Sequence, residues 1–254
     1  MKSNFPINIC TFGCAKNEVD SRDMATLLRD AGYVLCSEPD DAELLIINTC
    51  AFITEAVEEN LEFIFTALNN DKKVIVAGCL PARYGSELHK LIPEVYAFLP
   101  CAKEDQILQA VDQAYKEADK RPDIPSYEPA EFSSAFAYIK IAEGCSRNCS
   151  YCTIPSIRGK YRSFSYAEIL EECRAQVEAG ARELVLVAQD TGLWGRDLAN
   201  KSNLAEPLDK LASEFPEIWI RLMYIQPSGI TDELLKAIAA HENICSYLDI
   251  PLQH

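Results

Sequence analysis

Histidine is scarce in this sequence, three in 254 residues, and basic side chains are outnumbered, 24 Lys and Arg against 39 Asp and Glu. His89, His241 and His254 have no nucleophile and carboxylate around them in a recognisable order, so no hydrolytic triad is argued. The net charge of −15 sets up a field that repels phosphate backbones, and this stretch is not expected to grip nucleic acid. No run comes near the roughly 18 apolar residues of a membrane span. The opening Met1-Lys2-Ser3-Asn4-Phe5-Pro6 has no apolar leader core, which predicts a soluble, cytoplasmic protein. Hydrophobic residues at 48% and charged residues at 25% are ordinary for a folded globular chain.

Against these shortages stand eleven cysteines. An odd number in a reducing compartment argues against a disulfide framework and for metal ligation or catalysis.

The pattern of the first third predicts a buried parallel sheet. Apolar runs at Ile7 to Phe12, Leu44 to Ile47, Val74 to Ala77 and Val95 to Leu99 alternate with helical periodicity at Ser21 to Ala31, Glu55 to Leu68, Ala82 to Leu91 and Glu104 to Lys116. That alternation defines a doubly wound α/β domain over residues 1–118. A polar stretch carrying Pro122, Pro125 and Pro129 follows and suits an extended linker, residues 119–134.

From residue 135 the pattern resumes. Strands are expected at Ala137 to Ile141, Glu183 to Val187, Trp219 to Leu222 and Tyr247 to Ile250, with helices at Tyr166 to Ala179, Leu204 to Glu214 and Thr231 to Ala240. These units make a partial (β/α) barrel over 135–254. It stops at Gln253-His254, where a barrel would continue, so the chain is expected to be part of a longer protein.

The strongest chemical signal is Cys145-Ser146-Arg147-Asn148-Cys149-Ser150-Tyr151-Cys152, just after a predicted strand. Three thiolates converging in one loop can hold a four-iron cluster and leave one iron without a protein ligand, and an open position separates a catalytic centre from a closed structural one. A zinc knuckle is the competing reading, but zinc takes four ligands and no histidine is near.

A second set is dispersed: Cys14, Cys50 and Cys79 each follow a predicted strand directly. Loops at the carboxyl ends of neighbouring parallel strands meet in one crevice, so the three can share a site. Alternatively each is a small buried residue at a tight turn. Cys10, Cys36, Cys101, Cys173 and Cys245 show no ligand pattern and are expected to be packing residues. Arg158 and Arg162 could hold a carboxylate by paired hydrogen bonds, and Gln189 and Asp190, after the second barrel strand, are placed to face a barrel mouth.

The Cys145 loop, with its aromatic residue before the third cysteine, resembles the signature of the radical S-adenosylmethionine enzymes. Gly13-Cys14-Ala15-Lys16-Asn17 with Val19-Asp20-Ser21, Asn48-Thr49-Cys50 and Ala77-Gly78-Cys79 are similar to the N-terminal motifs of the methylthiotransferase family within that class, and the likeness covers nearly the whole chain.

The resemblance implies S-adenosylmethionine chelated at the open iron of a cluster on Cys145, Cys149 and Cys152, and its reductive cleavage to a 5′-deoxyadenosyl radical. It implies Tyr151 against the adenine, while Arg158, Arg162, Gln189 and Asp190 are candidate cofactor contacts from their own chemistry and position. It also implies a second four-iron cluster on Cys14, Cys50 and Cys79 that supplies or relays sulfur. Stretches such as Ile154-Pro155-Ser156-Ile157-Arg158-Gly159 and Tyr247-Leu248-Asp249-Ile250-Pro251 look like the member that modifies an aspartate of a small-subunit ribosomal protein, rather than those that modify tRNA bases. The partners implied are that substrate, a sulfur donor and an electron donor. Ala15, where proline is common, and Tyr224-Ile225-Gln226-Pro227 depart from the pattern without touching a ligand. In the family the barrel continues and a small β-rich module follows it.

Overall fold

Leu44–Thr49 is six residues long and buried at every position, which only a strand covered on both faces can be. In the computed structural model, which describes residues 6–101, 103–116 and 134–252, it is the central strand of a five-stranded parallel sheet. The described residues form two compact units. The first ends at residue 116, except that Ser156–Arg158 also belong to it; the second begins at residue 134. The expected linker lies outside the described residues apart from Ser134, as does His254.

In the first unit, strands β1 (Pro6–Thr11), β2 (Val34–Leu35), β3 (Leu44–Thr49), β4 (Lys73–Gly78) and β5 (Ala97–Pro100) lie in the order β2-β1-β3-β4-β5. Helices α1 (Ala15–Asp30) and α4 (Ile107–Lys116) share one apolar layer with Ile7, Ile46 and Ile75. Helices α2 (Thr54–Asn69) and α3 (Cys79–Leu91) share the opposite layer with Leu45, Ile47 and Val76. Alternate β3 residues thus feed two cores, each fully buried side chain stabilising by roughly 1.5–3 kcal/mol. This is the doubly wound architecture expected from the sequence.

Of the boundaries that differ from the sequence reading, two have a plain physical reason. Helix α1 begins at Ala15, six residues before the expected Ser21, because its first turns bury Lys16, Asn17, Asp20 and Ser21, and hydrophobic periodicity is blind to a buried polar face. The last strand of the second unit starts at Ile244 instead of Tyr247. There Ile244 and Cys245 are buried, while Ser246 and Tyr247 are exposed beyond a register shift against the neighbouring strand.

The second unit holds β6 (Phe136–Lys140), β7 (Ala142–Glu143), β8 (Arg162–Ser163), α5 (Tyr166–Glu178), β9 (Glu183–Val187), α6 (Ala205–Glu214), β10 (Trp219–Leu222), α7 (Asp232–Ala240) and β11 (Ile244–Leu248). Strands β6-β9-β10-β11 pair in that order, all parallel. Sequential neighbours joined by helices are the start of a (β/α) barrel wall. Strands β7 and β8 form a separate antiparallel pair at the two ends of the segment that carries Cys145, Cys149 and Cys152. The core gathers Ile139, Leu184, Leu186, Ile220 and Leu208. No described helix is long and apolar enough to cross a membrane.

Candidate metal centres

The strand order of the first unit reverses direction between β1 and β3, and the crevice outside the carboxyl ends of strands at such a switch point is where open α/β sheets bind ligands. Cys14 follows β1, Cys50 follows β3 and Cys79 follows β4. Gly13 has φ +103°, and a Cβ there would stand 2.7 Å from the Cβ and 3.2 Å from the Sγ of Cys50, so the Cys14 and Cys50 loops meet. The Cys50 thiol is raised chiefly by burial, and Cys79 and Cys14 are close enough to raise it further. The three cysteines that the sequence separates by tens of residues therefore share one crevice.

A buried polar belt holds the loops in register. Asn17 Nδ2 donates to Asn48 Oδ1 at 3.3 Å and to the Thr49 carbonyl at 2.9 Å, while Asn48 Nδ2 donates to the Asn17 carbonyl at 2.8 Å. Thr49 Oγ1 donates to the Ala77 carbonyl at 2.6 Å and accepts from the Leu80 amide at 3.1 Å. Cys14 Sγ lies 3.5 Å from Asn17 Oδ1. Gly78, at φ +92°, leaves β4 where a Cβ would collide with Asn48 Oδ1 at 2.3 Å and the Thr49 carbonyl at 2.7 Å.

Arg158, read from the sequence as a candidate cofactor contact, is buried in this first unit. Its Nη2 donates to Asn17 Oδ1 and to Asp20 Oδ2, both at 2.9 Å, and its charge helps to lower the Cys79 thiol and offsets part of the rise that burial imposes on Cys50. Its guanidinium is thus engaged by the polar belt. Cys101, expected to be a packing residue, is buried in the apolar layer yet stands 3.7 Å, sulfur to sulfur, from Cys79. The hydrogen bond from Cys101 draws the Cys79 thiol down to about 6, and Cys101 itself is pushed well up by the same contact and by burial. The signal was present: Cys101 follows a predicted strand closely, as the other three do.

In the second unit the cysteine loop begins at buried Cys145, whose amide donates to the Gly159 carbonyl at 3.0 Å. Cys145 Sγ accepts from the Arg147 amide at 3.5 Å, and the Cys152 amide donates to the Cys149 carbonyl at 3.1 Å. Burial raises the Cys145 thiol, with Cys152 near enough to add to it. Cys149 is exposed and Tyr151 is 61% exposed beside it.

Asp190 is almost completely buried and fully engaged. Arg147 donates to its Oδ2 from Nε at 2.9 Å and Nη2 at 2.5 Å, and the Gly192 and Gln226 amides donate to Oδ1 at 3.2 and 3.3 Å. It fixes the loop that follows β9 to the cysteine loop. Arg147 was not singled out in the sequence, although a basic residue between Cys145 and Cys149 was there to be seen. Gln189 Nε2 donates to Glu143 Oε1 at 3.2 Å, while its Oε1 is buried without a hydrogen-bond partner. Glu143 also pairs with Lys140 at 3.0 Å. Arg162 is exposed, its guanidinium 4.7 Å from the Phe164 ring centre.

Both cysteine sets suit iron–sulfur ligation. All eleven cysteines are free, each set has three thiols and no fourth protein ligand in the pattern, and soft thiolates are the donors that clusters take. Among the described residues no three His, Cys, Asp or Glu side chains gather round one point as they would round a single ion. A cubane is wider than an ion and meets each thiolate at a separate corner.

A three-thiol loop at the start of a (β/α) barrel defines the radical S-adenosylmethionine class, and residues 139–254 match the profile described as the Radical SAM superfamily. Residues 6–100 match the Uncharacterized protein family UPF0004. The chain is 43% identical over 270 aligned positions to the ribosomal protein uS12 methylthiotransferase RimO of Syntrophus aciditrophicus, covering 98% of this chain and 58% of that one. It is 41% identical to the protein of the same name from Clostridioides difficile, covering 96% and 58%.

The chain thus spans a little over half the length of these curated relatives. Among solved structures, the radical S-adenosylmethionine methyltransferase TsrM of Kitasatospora setae superposes with a TM-score of 0.67 at 14% identity, covering 99% of this chain and 60% of that one, a likeness of fold. Over nearly its whole length the chain is thus similar to curated methylthiotransferases, and its second unit matches the Radical SAM superfamily profile. The matched Radical SAM profile implies a four-iron cluster and S-adenosylmethionine.

Proposed function

We propose that this chain is the cluster-bearing part of a methylthiotransferase that places a methylthio group on the β-carbon of an aspartate in ribosomal protein uS12, in the cytoplasm, with two four-iron clusters. The observation that carries the reading is the pair of three-cysteine sets, one in each unit, each leaving a fourth position open. An electron carrier closes its cluster with four thiolates; a site that must bind something at iron leaves one corner free. Replacing an unactivated C–H by C–S is beyond any general base at neutral pH, and the bound clusters and S-adenosylmethionine supply the radical and the sulfur.

The protein's own residues bind and orient. Cys145, Cys149 and Cys152 hold the cluster that receives S-adenosylmethionine, and Tyr151 offers an aromatic face for the adenine. The unpartnered Oε1 of Gln189 would accept a hydrogen bond from an N–H of the cofactor's amino group. Asp190, held by Arg147, sets the position of the Gln189 backbone. Cys14, Cys50 and Cys79 would hold the second cluster at the switch-point crevice of the first unit, and that cluster would supply sulfur. The names of the relatives support uS12 as substrate.

Iron and acid-labile sulfide per chain after anaerobic reconstitution test this directly. The wild type should bind about eight irons and Cys14→Ala/Cys50→Ala/Cys79→Ala about four, one cluster per cysteine set. That variant should still release 5′-deoxyadenosine from S-adenosylmethionine, whereas Cys145→Ala/Cys149→Ala/Cys152→Ala should release none. About four irons in both wild type and the first variant would refute the two-cluster reading.

A further inference from the structure

The parallel register that pairs Gly78 of β4 with Pro100 of β5 carries one residue further, to Cys79 and Cys101. The Cys101 amide donates to the Gly78 carbonyl at 3.2 Å, which continues the ladder past the strand ends and sets the two side chains beside each other. Their sulfurs are 3.7 Å apart in the layer that also holds Leu80, Ile47 and Val76. Burial in apolar surroundings favours the neutral thiol, so Cys101 keeps an S–H to donate.

Two sulfurs this close fit one tetrahedral centre, with Zn–S near 2.3 Å, rather than separate corners of a cubane. Cys101 is therefore poorly placed to be a fourth cluster ligand alongside Cys79.

We propose that Cys101 is a positioning residue for the N-terminal cluster: its S–H donates a hydrogen bond to the ligating sulfur of Cys79 and raises the cluster's reduction potential. One-electron reduction adds a negative charge to the cluster and its thiolates. A donor aimed at a thiolate stabilises the more negative form, and hydrogen bonds to the sulfurs are among the determinants of cluster potential. The Arg158–Asp20 couple also acts on Cys79 and Cys101 and is shared by every variant below. This inference rests on the N-terminal cluster proposed above.

The test uses the full chain carrying Cys145→Ala/Cys149→Ala/Cys152→Ala, so that only the N-terminal cluster is read, with Cys101, Cys101→Ala or Cys101→Ser. Iron per chain and a redox titration followed by spin resonance are measured for each. All three should bind about four irons. Cys101→Ala should shift the midpoint to lower potential, and Cys101→Ser, which keeps a donor, should recover most of the shift. Equal midpoints for Cys101 and Cys101→Ala, or a serine variant as far shifted as the alanine one, would overturn the proposal. So would a spectrum that responds to an added small thiolate only in Cys101→Ala, because Cys101 would then be a ligand. Absence of any cluster from the Cys101 chain would instead refute the proposed function beneath it.

Discussion

Arg158 and Asp20 are a charged pair with side chains 2% and 1% exposed, 2.9 Å apart. Removing one member strands the other without solvent, which costs about 3–5 kcal/mol, far more than an exposed pair contributes. Arg158→Ala should therefore lower the urea stability of the first unit by about that amount, with Asp20→Ala/Arg158→Ala less damaging than the sum of the single losses. Strict additivity, or a loss below about 1 kcal/mol for Arg158→Ala, would show that the pair is not coupled as the geometry requires. Arg158 also shows where residue-level reading ran out. A guanidinium after a cluster loop is a sensible carboxylate grip, but which carboxylate it meets depends on a residue 138 positions away.

At the scale of elements, the crevice depends on how each strand ends. Gly78 terminates β4 in a conformation that L side chains rarely adopt, against Asn48 and the Thr49 backbone. Gly78→Ala should cost about 2–4 kcal/mol, because strain and collision add, and should displace Cys79. Denaturation midpoints together with iron loading of the N-terminal set would show it. An alanine variant with wild-type stability and full loading would mean that the strand end gives more freely than its contacts suggest.

The four strands of the sheet that place Cys14, Cys50, Cys79 and Cys101 were all readable from apolar runs, to within one or two residues, since continuous burial leaves a continuous apolar stretch. Helix α1 was not readable at its start. Its first turns face the polar belt, and there the sequence pattern of Lys16, Asn17, Asp20 and Ser21 is that of a solvent-exposed loop.

For the whole molecule, the net charge of −15 bears on binding to nucleic acid. Binding to tRNA requires phosphate neutralisation, whose signature is an affinity that falls steeply with salt. This chain should show no measurable retention of tRNA at physiological salt and no salt slope. Tight, salt-steepened binding would favour base modification over the ribosomal protein.

Composition, hydrophobic period and cysteine spacing by themselves pointed to the α/β class, the two-part organisation and the grouping of Cys145, Cys149 and Cys152, because these are properties of neighbours along the chain, whereas grouping Cys14, Cys50 and Cys79 took the family resemblance. Tertiary structure alone decided that Arg158 meets Asp20, that Asp190 is held by Arg147, and that Cys101 stands beside Cys79. Each of those joins residues from different elements. Their meeting depends on sheet order and register, which follow from how whole layers pack and leave no mark in any local stretch of sequence.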